Sequence, residues 1–463
     1  MKRFAMPFAF SLCVLFSCSR KQHSTEAERL DWNKETLVTA YEHFGNKDPK
    51  WDLPATNALM EFVRIRSEKS DRAGTDVQSE LIGNDSEDAV KSGCNDPMVM
   101  YLYCRFNSGR SSRPLSFWQD EYRKMAQALE NSSYPPLRKF YANDRAAIVL
   151  WENYDKTLWT EVTQFRRAAM NDLANAVQDK SLPIEEVSDA CDLLLNTVSS
   201  NAKELPDAYK MLEPALFRNW PHAATAYFIK GRFYYSFAWS ARGGGYADKV
   251  STDGWKSFAE DLAVAEKAYR EAWALNPKDP RIATEMIEMA VSQQKSRDEM
   301  ELWFGRAMQL DTNNYAACKY KLRFLNPKWY GDRDQMLQFG RECVASTNWC
   351  GSVPLILVDA HIAYADLLES RDRAEYWLQP DVWPDVRSAY EKFIQVDPDG
   401  AVNDRYYYAR YAFICGQWQE FKDQIKLIRD SDKGFNPAFF GGEEQFNKMM
   451  AQADAGGARA ADN

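Results

Sequence analysis

The chain has 463 residues, 45% of them hydrophobic and 27% charged, a globular composition that excludes a disordered or collagen-like protein. Its 67 acidic and 58 basic side chains leave a formal charge of −9 without any long Lys/Arg block. Such a surface repels phosphate backbones, so nucleic acid is not an expected partner. The nine cysteines form no CxxC pair and the four histidines (His23, His43, His222, His361) are scattered, so neither a disulfide framework nor a metal site is expected.

Lys2 and Arg3 precede an uncharged apolar stretch over residues 4–17. A membrane-spanning helix needs about 20 such residues, so residues 1–17 read as an export signal. The stretch ends Leu15-Phe16-Ser17-Cys18, which resembles the lipobox of bacterial lipoproteins, Phe16 being bulkier than the usual occupant. That resemblance implies lipidation of Cys18, attachment to the membrane through the lipid alone, and an exported, envelope-anchored protein. Ser19 in place of Asp is similar to the outer-membrane sorting pattern, which implies the outer membrane, facing the periplasm, if the cell is Gram-negative. Without Cys13 and Cys18 seven thiols remain, an odd number, so at least one is a free thiol or an intermolecular partner, and buried free thiols are the expectation for the pairs Cys94/Cys104 and Cys343/Cys350.

Residues 18–29 read as a polar tether and 30–215 as a helical region of irregular pattern. Within it helical periodicity marks 36–44 and 55–65, whereas 67–92 is polar and Gly/Asp/Ser-rich and reads as a long loop. Helices are predicted again at 96–106, 116–130, 136–178, 184–200 and 206–217, broken by Tyr134-Pro135-Pro136 and Leu182-Pro183. No segment alternates with period two, so strands are not expected.

A repeat becomes visible further along. Ala265, Tyr269, Ala272 and Pro277 stand in AEKAYREAWALNPKDP; Phe304 with Ala307, and then Phe339, follow at steps of 35 residues. Tyr390 and Pro398 return at the right separation in VRSAYEKFIQVDPDG, and GQWQEF after Arg405–Cys415 opens a last unit. Small and aromatic residues at these offsets let two helices approach closely and the next pair stack. The pattern resembles the tetratricopeptide superfamily over roughly 255–430. A wider stretch, roughly 220–350, is similar to a bacterial family of tetratricopeptide-like proteins of unassigned function. It carries that family's W-x-x-R-G element as Trp239 to Gly243 and its L-x-P-K-W-x-G element as Leu325 to Gly331. These resemblances imply an α-solenoid of tetratricopeptide-like helical hairpins over 216–445; with the less regular helical N-terminal half, whose helices rest on pattern alone, the expected fold class is all-α, and 446–463 reads as a disordered tail.

Chemistry is harder to find. Gly243-Gly244-Gly245 lacks the strand and Lys-Ser/Thr of a phosphate loop and reads as a helix–helix connection. Arg242 is expected over the face of Trp239, three residues earlier on the same helix. Glu369-Ser370 resembles the Glu-Ser pair of soluble lytic transglycosylases, but the downstream run of that signature is absent. No G-x-S-x-G occurs. No enzyme and no cofactor are expected. A solenoid offers instead a concave face lined by the first helix of each pair. The register places Arg281, Thr284, Glu288 and Arg405 there as candidate contacts for a protein or peptide partner. A glycan-capturing outer-membrane lipoprotein, using the aromatic surplus to stack on sugars, is the alternative, and an envelope hydrolase the second. Converging exposed aromatics would favour the glycan; a deep pocket with two perturbed carboxylates would favour the hydrolase.

Overall fold

In a computed structural model the described residues are 26–67, 72–198, 204–245, 247–396, 401–431 and 434–461. They contain helices and no strand, and none of the helices is long and apolar enough to cross a membrane. The export signal, the lipobox and Cys18 lie outside the described residues, as does most of the tether.

Helix α1 (Glu26–Lys34) runs through one π-turn into α2 (Ala40–Phe44). Then come α3 (Asp52–Ser67), α4 (Arg72–Lys91), α5 (Pro97–Asn107), α6 (Leu115–Glu130), α7 (Pro136–Leu150), α8 (Trp159–Ala176), α9 (Ile184–Val198) and α10 (Glu204–Asn219). The repeat region holds α11 (Ala224–Arg242), α12 (Thr252–Leu275), α13 (Pro280–Ser292), α14 (Arg297–Leu310), α15 (Tyr315–Phe324) and α16 (Arg333–Ala345). The chain closes with α17 (Ile356–Ala365), α18 (Ser370–Trp377), α19 (Val382–Val396), α20 (Ala401–Ile414), α21 (Trp418–Arg429) and α22 (Glu443–Ala461).

Helices adjacent in the chain mostly pack against one another, α11 with α12 most extensively, and α9 with α11 and α13 with α15 link one pair to the next. Their starts are written into the sequence. Asp279, Ser296, Asn314 and Asp332 each accept a backbone N–H of the helix that follows, capping α13 to α16 in succession. Each cap contributes about 1 kcal/mol. The signature aromatics then do what the repeat requires: Tyr269, Phe304, Phe339 and Tyr390 are all buried. Burying each such side chain contributes roughly 1.5–3 kcal/mol. Tyr269 lies against Gly231, where a Cβ would come within 2.4 Å of its ring, so the closest approach of α11 to α12 depends on a missing side chain. Helix α11 also joins the two halves: Ala226, Ile229 and Phe233 belong to the core that runs from α1 to α10, and Ala224, Phe228 and Ala238 to the core that runs on to α20.

Three expectations are corrected. Residues 72–91, within the stretch read as a loop, form α4; its sparse apolar face puts Ile82, Ser86 and Ala89 in the core. Residues 446–461, read as a disordered tail, lie in α22, where Phe446, Met449 and Ala453 are buried against α21. This last helix covers the end of the stack, as terminal units of solenoids must. The segment 136–178 is two helices, interrupted where Tyr154 takes a left-handed φ of 53° and Asp155 caps the next turn.

Candidate functional site

Helices α9, α11, α13 and α15 lie side by side along one face, and the candidate contacts on α13 do point there. They are not free. Thr284 is buried, donating to the Pro280 carbonyl and accepting from Asn314 Nδ2 at 2.8 Å. Glu288 is 2% exposed and accepts from the Tyr235 hydroxyl at 2.6 Å and from Arg323. One turn away Arg232 of α11 bridges Glu285 at 2.6 Å and Asp192 of α9 at 3.3 Å. Burial pushes the Glu285 and Glu288 carboxyls up, with Arg232 and Arg323 respectively pulling them back. Arg281 is half-exposed; it forks onto its own cap Asp279 and lies over the Phe228 ring. Arg405 sits on α20, half-buried, donating to Gln424 of α21 at 2.8 Å. The structure thus brings three of the four onto one helix and turns Thr284 and Glu288 from surface contacts into ties between repeats. The α11 and α15 side chains reach across α13 and close over it.

The W-x-x-R-G and L-x-P-K-W-x-G elements meet at one end of this face. Trp239 and Trp329 stand edge to face with centroids 6.4 Å apart, and the Arg323 guanidinium lies over both rings, at 5.3 and 4.8 Å. Arg242 lies over Trp239 at 5.3 Å, as expected, and over Trp255 at 5.1 Å. Gly243, with φ of 75°, ends α11. At Gly331 a Cβ would come within 2.2 Å of the Leu325 carbonyl oxygen, which fixes the turn after α15. The elements therefore form a clamp across α13, and arginines of the chain itself cover the aromatic faces that a sugar would need. Glu369 and Ser370 are exposed at the start of α18.

In the N-terminal half the same face carries a buried hub. Glu186, fully buried, accepts from Arg29 at 2.8 Å, Arg66 at 2.5 Å and Asn33 at 3.1 Å. Burial pushes its carboxyl up, but Arg66, Arg29 and Arg138 outweigh that and hold it at about 2. Arg138, also buried, is lowered to about 10 by its burial; it donates to Asn33 and Thr36 and lies over the Trp32 ring. These contacts lock α1 onto α3, α7 and α9.

The open surface lies on the other side of α11. At 100° per residue, Tyr227 and Lys230 face away from Arg232, Tyr235 and Trp239. They form the floor of a groove of about 960 Å³ between α10 and α12, walled by Glu213, Pro214 and Phe217 on one side and Ala263, Val264, Lys267, Ala268 and Glu271 on the other. Phe217 packs edge-on against Tyr227 at 5.1 Å, and Lys230 bonds Glu213 at 2.8 Å while lying over the Phe217 ring. The small side chains Ala263, Val264 and Ala268 keep the α12 wall low. Sequence reading missed this groove. Its only signal was the run of small residues on one face of α12 opposite Pro214, and the repeat pattern directs attention to the other face.

No family model matches the chain, and no curated protein matches it. Among solved structures it is similar to a human IFIT1 dimer with m7Gppp-AAAA, at 9% identity and a TM-score of 0.40, covering 92% of this chain and 78% of that one. A likeness at this level says nothing about what this chain binds.

Proposed function

We propose that this tetratricopeptide-like helical solenoid is a scaffold, tethered to the bacterial envelope through Cys18, that captures a peptide segment of a protein partner. The observation that carries the reading is the groove between α10 and α12. It is extended, mainly apolar, open to solvent and fringed by charges of both signs: Glu213 and Lys230 at one wall, Lys267 and Glu271 at the other. Apolar floors with polar rims are what a peptide anchored by a few side chains needs.

A protein partner is favoured over a glycan because the converging tryptophans, Trp239 and Trp329, are covered by Arg242 and Arg323. It is favoured over catalysis because each raised carboxylate of α13 is held by an arginine. The test is crosslinking in the native envelope followed by identification of co-purified chains. A reproducible protein partner, lost in V264R, supports the reading. Recovery of polysaccharide alone overturns it.

A further inference from the structure

The groove between α10 and α12 has the dimensions of a helix. Along α12 it runs from Ala263 to Glu271, about 12 Å at 1.5 Å per residue, or a little over two turns. Spread over that length, its volume of about 960 Å³ gives a cross-section of about 80 Å², that of a cylinder about 10 Å across, which is the width of a helix with its side chains. Its walls also lack what an extended peptide needs. Such a peptide pairs its N–H and C=O groups with a strand edge, and the described residues contain no strand. The backbone groups inside α10, α11 and α12 are already bonded within those helices. The exception is the Lys210 carbonyl, for which Pro214 has no N–H, and a single acceptor cannot hold a strand. A helical peptide satisfies its own backbone and presents only side chains.

The rim selects the charges of the occupant. On the α10 side Glu213 and Lys230 are already paired at 2.8 Å. On the α12 wall Lys267 and Glu271 are exposed, with no ion pair to either among the described residues. They stand four residues apart with the lysine first, the less favourable order for pairing within a helix, so both are open to a partner. Between the rims, the half-buried Phe217, Tyr227 and Val264 offer apolar surface to large side chains from above. Taking this groove as the capture site proposed above, we infer that its occupant is about two turns of an amphipathic helix from the protein partner. Large apolar side chains of that helix lie over Phe217, Tyr227 and Val264, an acidic one meets Lys267 and a basic one meets Glu271.

The test places a small diazirine amino acid at Val264, Lys267 or Glu271 in three full-length chains, irradiates intact envelopes, and maps the attachment point on the captured protein by mass spectrometry. A helical occupant rises as α12 does, so its attachment point should shift by about seven residues between probes 264 and 271, with probe 267 about midway. An extended occupant, at about 3.3 Å per residue, would shift by about three over the same span. A shift of about seven supports the helix. A shift of about three overturns it and leaves the groove standing as the capture site, whereas no adduct from any of the three positions overturns both. The double variant K267E/E271K, probed from position 264, should lower the adduct yield about fivefold or more at low ionic strength and less at high salt. The swap gives α12 the favoured Glu-then-Lys order at exposed positions, and circular dichroism checks that the variant folds. A low-salt yield equal to that of wild type overturns the charge pattern assigned to the occupant, and the inferred helix with it.

Discussion

Replacing Gly231 by alanine tests the contact on which the helix pairing rests. In a helix interior the change ordinarily stabilises by about 1 kcal/mol, because glycine has more backbone entropy to lose. Here the new Cβ would stand 2.4 Å from Tyr269 Cε1 and 2.6 Å from Cδ1, about 1 Å inside contact distance. Tyr269 is fully buried, so the ring has nowhere to retreat without moving α12. Overpacking of this kind costs about 1–3 kcal/mol. With the propensity gain subtracted, G231A should lose up to about 2 kcal/mol. Gly305, in the middle of α14, is the internal control: no atom lies within 4 Å of its added Cβ, so G305A should gain about 0.5–1 kcal/mol. Urea unfolding of both variants, with unchanged slopes, reads the difference. A G231A protein stabilised as much as G305A would refute the close approach and the pairing built on it.

Further expectations concern the buried charges. Glu186 has a folded pKa of about 2, below its ordinary 4.5, so its contribution is complete above pH 4.5 and lost as the pH falls toward 2. E186Q should cost about 3–5 kcal/mol at neutral pH and flatten that acid limb; an unchanged limb would contradict the hub. Asp144 has the opposite sign. Burial raises it to about 6, so its charge destabilises the fold increasingly between about pH 4 and pH 6. D144N should gain roughly 2–3 kcal/mol on wild type between pH 4 and pH 8, measured by urea titration at both values. E288A should lower stability by about 3 kcal/mol yet leave partner capture intact, since Glu288 ties α11, α13 and α15 together. V264R should do the reverse, and partner loss in a folded E288A would reassign the binding face.

What the sequence disclosed and what it concealed follow from the range of the interactions. The register of Tyr269, Phe304, Phe339 and Tyr390 was legible because it repeats locally, at nearly constant spacing, and all four are buried as expected. Helix α4 was hidden by composition: with Ile82, Ser86 and Ala89 as its described core contacts, its apolar stripe is too thin to stand out among polar neighbours. Helix α22 was readable from the i, i+3, i+7 spacing of Phe446, Met449 and Ala453, a signal masked by the Ala/Gly/Asp-rich residues after it. The site was less legible than the fold. Periodicity places Thr284 and Glu288 on the inner face. Whether that face is open depends on how far Tyr235, Arg232 and Arg323 reach from the neighbouring helices, which is a property of the stack. The groove is likewise set by the spacing of α10 from α12, and no single helix announces it.

Placing a photoreactive amino acid at Val264, and in a parallel protein at Arg281, and irradiating intact envelopes would compare the two faces in one assay. A partner protein covalently joined through position 264 and not through 281 is the predicted result. Adducts through 281 alone, or none from either position while the partner still co-purifies, would contradict a scaffold that binds through the groove.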